Sequence, residues 1–248
     1  MTDDGTAATR LILCEPQDVV ASWIRDGLEA LGLETVLVTS EELCAAERWD
    51  HRVASSGTSF EVRLADGRVL DDRRIRGVLN RLVGIPLTYL ARAEETEREY
   101  VEQEWRALLT SALAGLSHRG VPVVEPPHPY AVSGRWRSPV EWSILASRAG
   151  LPVQSWAWSD GLPAAQVLPQ PTTSVLVIGR RVIAGGPIGR PVRDSCGRLA
   201  RLASRIMLEV QFGTGEAGPI TFAGVAVMPD PRSKGEAALE ALTAVLGR

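Results

Sequence analysis

The chain has 248 residues, of which 45% are apolar and 23% charged, and its formal net charge is −3. That balance excludes a disordered or membrane-embedded polypeptide and allows one large domain or two small ones around a sizeable core. No basic stripe interleaved with aromatics is present, which argues against nucleic acid as a partner.

The elements follow in order. "RLILCEP" (10–16) reads as a strand, and "DVVASWIRDGLEALGL" (18–33) as a helix with Val19, Trp23, Ile24, Leu28 and Leu31 on one face. "ETVLVTS" (34–40) is a second strand, so the opening β-α-β favours a parallel unit. Residues 55–71 alternate around Asp66-Gly67, a hairpin signal, and "IRGVLNRL" (75–82) is a buried strand ending in Asn80 and Arg81. The clearest helix spans 94–116, with acidic residues in its first turns and an apolar stripe through Tyr100, Val101, Trp105, Leu108, Leu109, Ala112 and Leu116. "VPVVEPP" (121–127) is a strand, and 138–151 a helix opened by a Ser138 cap, Pro139 and Glu141 and closed by Gly150.

Near residue 153 the texture changes. Residues 155–174 are rich in Trp, Pro and small side chains. A hairpin-like pair of strands at 174–186 turns at Gly179-Arg180, an amphipathic helix is expected over 196–213, a strand over Phe222 to Met228, and a terminal helix over 234–248. The glycine-rich "GGPIGRP" (185–191) reads as a plain turn, since no helix is expected directly after it. The domains expected are therefore 1–153, an α/β unit, and 154–248.

Four segments taken together, "RGVLNRL", "EYVEQEWRALL", "VPVVEPPHP" and "SPVEWSILASRAGLPV", resemble the N-terminal half of an ATP-grasp ligase. The likeness is to RimK-like proteins of peptide-modification and natural-product pathways, whose "A-x-x-A-G-L-x-V-P" exit is matched by Ala146, Ala149, Gly150, Leu151 and Val153. "FAGVAVMPDP" is similar to that family's final Glu-x-Asn-Pro strand. The resemblance implies a pre-ATP-grasp-like, mostly parallel sheet unit followed by a shortened ATP-grasp C-terminal remnant lacking the central subdomain that covers ATP. Between Val153 and Val175 only about two dozen residues are available, none of them lysine. Ser138 stands where the family has a lysine, Ala226 where it has a metal-binding Glu, and Met228 where it has Asn. Neither of the last two supplies the hard oxygen that Mg²⁺ requires. No cofactor and no metal are expected on this reading.

Several residues carry both a sharp and a plain reading. Asn80 and Arg81 either line a ligand pocket at the strand end or, for Arg81, cap a helix or pair with a carboxylate. Arg135, Trp136 and Arg137 suit the grip of an anionic or peptide ligand, or form an exposed loop docked by its Trp. Glu104 belongs to a solvated acidic face or points towards Arg81. Trp156 and Trp158 share one side of an extended segment and either anchor an interface or seal the core. Cys14, Cys44 and Cys196 form no CxxC and read as free thiols; His51, His118 and His128 show no metal-ligand spacing. The N-terminus is no signal peptide and no apolar run spans a bilayer, so a cytoplasmic location is expected. The functional expectation is a non-catalytic ATP-grasp homologue binding a peptide substrate or a partner enzyme, as a homodimer or heteromer with a biosynthetic enzyme. The alternative is an active enzyme, completed by another subunit or working without ATP in a pocket of Arg81, Arg135 and Arg137.

Overall fold

The structure is a computed structural model that describes residues 8–55, 57–84, 86, 93–154, 169–214 and 220–247. It divides into two compact units, Met1–Trp136 with Leu242–Arg248, and Arg137–Ala241. The division falls ahead of the compositional change at 153, because helix Pro139–Arg148 packs with elements later in the chain, the helix Arg190–Leu202 and the strand Ile220–Ala226.

In the first unit a parallel sheet has the order β2-β1-β6-β7, formed by β1 (Thr9–Cys14), β2 (Thr35–Thr39), β6 (Ile75–Asn80) and β7 (Val123–Val124). An antiparallel sheet of β3 (Arg48–Ala54), β4 (Gly57–Arg63) and β5 (Val69–Asp71) is inserted between β2 and β6, with α2 (Ser40–Cys44) leading into it. Asp18 starts α1 (Val19–Ala30) by accepting from the N–H groups of Val20 and Ala21. The buried face of α1 is Val20, Ala21, Ile24 and Leu28, rotated from the expected one: Val19 and Leu31 are exposed.

Helix α3 (Glu95–His118) opens with a capping box between Glu94 and Glu97 and buries only its second half, Leu109, Ala112, Leu113, Gly115 and Leu116. Tyr100, expected on the stripe, is exposed. Trp105 is half-buried and meets Trp49 of β3 edge to face, with ring centroids 5.1 Å apart. Gly115 lets α3 close onto β4: a Cβ there would lie 1.7 Å from Thr58 Oγ1 and 3.0 Å from its Cβ. Leu11, Leu13, Val62, Val78, Leu113 and Leu116 belong to one core cluster shared by both sheets and α3.

The second unit is an antiparallel sheet of order β11-β10-β8-β9, built from β8 (Thr173–Ile178), β9 (Arg181–Ala184), β10 (Met207–Thr214) and β11 (Ile220–Ala226). One face carries α4 (Pro139–Arg148), which starts as read from Ser138 and Glu141, and α5 (Arg190–Leu202). The helix expected over 196–213 is corrected. It begins at Arg190 and stops at Leu202, where Ser204 takes a left-handed conformation (φ 54°) and the N–H of Arg205 bonds Ala200 O at 2.9 Å, a Schellman stop. The next segment, "IMLEVQF", has a period of two and forms β10 with Leu208, Val210 and Phe212 buried against the helices. The early start of α5 also gives the glycine loop 185–189 a strand before it and a helix after it, contrary to the expectation of a plain turn. A terminal helix, α6 (Gly235–Leu246), comes after a 3₁₀ turn, Pro231–Lys234.

Replacing Gly115 with Ala tests the closure of α3 on β4. Helix propensity favours Ala by about 1 kcal/mol, but the overlap with Thr58 costs about 1–3 kcal/mol. The variant is expected to be destabilised in urea denaturation, whereas Gly115→Ala in a Thr58→Ala background regains the propensity gain.

Candidate functional site

The face of the second unit's sheet turned away from α4 and α5 is built by register. Gln211 lies opposite Ser174 on β8 and Gly224 on β11, while Glu209 lies opposite Leu176 and Ala226. Directly paired residues of an antiparallel ladder share a face, so Ser174, Leu176, Glu209, Gln211, Gly224 and Ala226 stand together, with Leu176 buried. The side chains of Ser174, Glu209 and Gln211 are half-buried. Ser174 Oγ donates to Glu209 Oε1 at 2.6 Å, and Lys234 Nζ, from the 3₁₀ turn, donates to Ser174 Oγ at 3.2 Å. Gly185 makes room for the ammonium: a Cβ there would lie 2.5 Å from Nζ. The only lysine of the chain is thus joined through one hydroxyl to a carboxylate.

The donor set decides what this face can hold. Opposite Glu209 the sheet presents the methyl of Ala226, and two residues on Met228 brings a thioether. A magnesium ion needs about six oxygens in near-octahedral array and a nucleotide phosphate needs cations. Here one carboxylate is already bridged to an ammonium, and among the described residues no group of three or more His, Cys, Asp or Glu is placed to hold a metal. The described residues of this face do not fit Mg·ATP.

The sequence-selected residues lie elsewhere. Asn80, buried at the end of β6, donates from Nδ2 to Glu125 O and Val132 O, both at 2.8 Å, and its Oδ1 accepts from Leu82 N–H at 3.2 Å. It ties the end of β6 to the segment after β7. Arg81 Nε donates to Asp18 Oδ2 at 2.8 Å, with both side chains largely buried. Asp18's carboxyl is pulled two ways: burial raises its pKa, but the hydrogen bond and charge of Arg81 and the Ala21 and Val20 N–H groups together outweigh this and hold it below the ordinary carboxylate range. Glu104 is exposed on α3, and the expectation that it points to Arg81 is replaced by the Asp18 pair. Arg135 and Trp136 are exposed, the latter at 75%, in the first unit. Arg137 belongs to the second, where its guanidinium lies 5.2 Å from the Trp142 ring centroid and donates to Ala203 O at 3.0 Å. Trp156 and Trp158 lie outside the described residues.

Glu209 and Gln211 escaped the sequence reading because 196–213 was expected to be one helix, which hides their alternation; the period of two in "LEVQF" was the available signal. The cysteines offer no alternative chemistry. Burial pushes the thiols of Cys14 and Cys196 up to about 12 and that of Cys44 up to about 11, leaving them protonated and inert at neutral pH.

The fold is that of the ATP-grasp ligases. The ligase PsnB complexed with precursor peptide PsnA2 and AMPPNP superposes with a TM-score of 0.73 at 18% identity, over 96% of this chain and 98% of that one. The RiPP-associated ATP-grasp ligase of Chryseobacterium gregarium, in complex with ADP and a leader and core peptide, gives 0.69 at 10% identity over 96% of each chain. The macrocyclase MdnC of Microcystis aeruginosa MRC, bound with precursor peptide MdnA, gives 0.66 at 10% identity over 96% and 99%. No protein-family model and no curated protein matches the sequence. No helix among the described residues is long and apolar enough to cross a membrane.

Asp18 supplies the test of the first unit's polar framework. Asp18→Ala removes a cap and the carboxylate partner of Arg81, and is expected to cost about 3 kcal/mol in urea denaturation, the low end for breaking a buried pair. Asp18→Asn keeps a capping oxygen and should cost less. Because the folded carboxyl titrates below its unfolded value of about 4, the ion pair's contribution is complete above that value and is lost as pH falls through the folded one. Wild type should therefore lose more stability on acidification than Asp18→Asn.

Proposed function

We propose that this chain is an ATP-grasp homologue, non-catalytic as an ATP-dependent ligase, that binds a peptide, or the enzyme that modifies it, in a peptide or natural-product biosynthetic pathway. The observation that carries the reading is the donor set on the β8–β11 sheet: Ala226 across from Glu209, with Lys234 and Ser174 bridged to that carboxylate. A face arranged in this way neutralises its own acid and presents the methyl of Ala226 where a second carboxylate for Mg²⁺ would stand. The peptide half of the reading is supported by the solved structures of the same fold, which include complexes of PsnB and MdnC with their precursor peptides.

The same proposal takes the C-terminal half as a shortened remnant, its shortening lying between Val153 and Val175, where the sequence has no lysine and few residues from which to build a lid. A missing subdomain leaves apolar surface that a homodimer or a heteromer with a biosynthetic enzyme would cover. Arg135 and Trp136, exposed together, are the residues we assign to first contact with the peptide. Asn80 and Arg81 brace the first unit and Arg137 the second, and Glu104 contributes to the acidic surface of α3. The second reading, a ligase completed by another subunit, is favoured by one observation alone, the survival of a carboxylate at Glu209.

Titration calorimetry of the purified protein with Mg·ATP separates the two. No heat at millimolar nucleotide is expected. Mg²⁺-dependent binding would overturn the non-catalytic reading, and binding lost in Glu209→Gln would place the nucleotide on this face.

A further inference from the structure

The local sequence suggests no Ser-His-Asp or Cys-His grouping, yet the fold brings together a serine and a histidine sixty positions apart. His51 on β3 and Ser111 on α3 meet with Nε2 2.8 Å from Oγ, and His51 Nδ1 lies 3.2 Å from the carbonyl oxygen of Ser59 on the paired strand β4. A carbonyl oxygen only accepts, so the Nδ1 contact requires its proton on that nitrogen. Nε2 is then a lone pair, and the Ser111 hydroxyl donates to it. Nucleophile, base and orienting acceptor stand in the order that hydroxyl activation requires.

Ser111 lines a groove of about 660 Å³ along α3, whose other walls include Gln103, Arg106, Ala107, Ala114, Pro129 and Tyr130. Tyr130 is 84% exposed at its rim, where its ring tilts against His128 with centroids 5.4 Å apart. Beside Ser111, the Thr110 hydroxyl oxygen is buried without a hydrogen-bond partner among the described residues. Buried hydroxyls are ordinarily satisfied, so Thr110 leaves a polar group unsettled next to the pair.

We propose that Ser111 is a base-assisted nucleophile for activated esters with an apolar or aromatic acyl group seated in this groove. Ser111 Oγ attacks the carbonyl carbon and its proton passes to His51 Nε2. The bond to the leaving alcohol breaks, and the imidazolium returns the proton to that alcohol. An acyl-serine results, which water cleaves by the same proton route to give the acid and free Ser111. Backbone N–H groups around Ser111 are committed to α3, so they form no oxyanion hole. That makes turnover slow and makes the covalent step the quantity to measure.

The test is incubation of the full chain with an alkyl fluorophosphonate, in which a phosphorus–oxygen bond to Ser111 replaces the phosphorus–fluorine bond. Intact mass and peptide mapping are expected to find one adduct per chain, at Ser111, absent in Ser111→Ala. His51→Gln, which keeps a polar side chain against β4 and α3, should slow labelling by about 10²-fold or more. Ala107→Trp, which fills the groove one turn from Ser111 and leaves both members of the pair in place, should block labelling even if the other variants fold poorly. No adduct on wild type, an adduct that persists in Ser111→Ala, or an unchanged rate in His51→Gln would overturn the proposal.

Discussion

The ion pair between Asp18 and Arg81 organises the first unit. One carboxylate starts α1 through two backbone N–H groups and receives the guanidinium from the end of β6, while Arg81 N–H bonds Leu13 O at 2.7 Å on β1. Two neighbouring parallel strands, β1 and β6, and the helix that follows β1 are thereby pinned at the strands' C-terminal end, where α/β sheets ordinarily open to ligands. Asn80 closes the same end towards β7. Glu15, beside them, accepts from Ser40 Oγ at 2.6 Å and from the N–H groups of Val83 and Gly84 at 2.7 and 3.1 Å. The polar groups that would greet a ligand are turned into framework.

The second unit shows the same internal settlement by different means. A carboxylate on a sheet face beside a methyl group is costly to bury alone, and the Ser174 hydroxyl and Lys234 ammonium settle its charge. The site therefore supports the sheet and the 3₁₀ turn that carries Lys234, and the side chains suited to polarising a phosphate are held by one another.

Much of the fold was legible in the sequence where local chemistry and burial agree. The β1-α1-β2 opening, the Asp66-Gly67 turn between β4 and β5, and the Ser138 capping box all reappear, since cap and turn residues act within a few positions of themselves. Strand β3 and helix α2 were missed; β3 is Arg- and His-bearing and mostly exposed, and its pairing with β4 rather than its own pattern defines it. The long expected helix failed at Ser204, where a left-handed residue without glycine carries no sequence mark. Of the candidate site, Ala226 and Met228 were legible, but Glu209, Ser174 and the Ser111–His51 meeting depend on register and on contacts between distant elements.

The scarcity of lysine has a practical consequence for anyone mapping partners. Amine-directed cross-linkers find a single side-chain amine, half-buried and already bonded to Ser174. A complex of this protein can therefore be extensive and leave almost no lysine cross-links. Carboxylate-directed reagents suit the protein better, since the acidic surface of α3 presents exposed Glu99 and Glu104. Conversely, a label that does react at Lys234 reports on one known place, the polar face of the second unit's sheet.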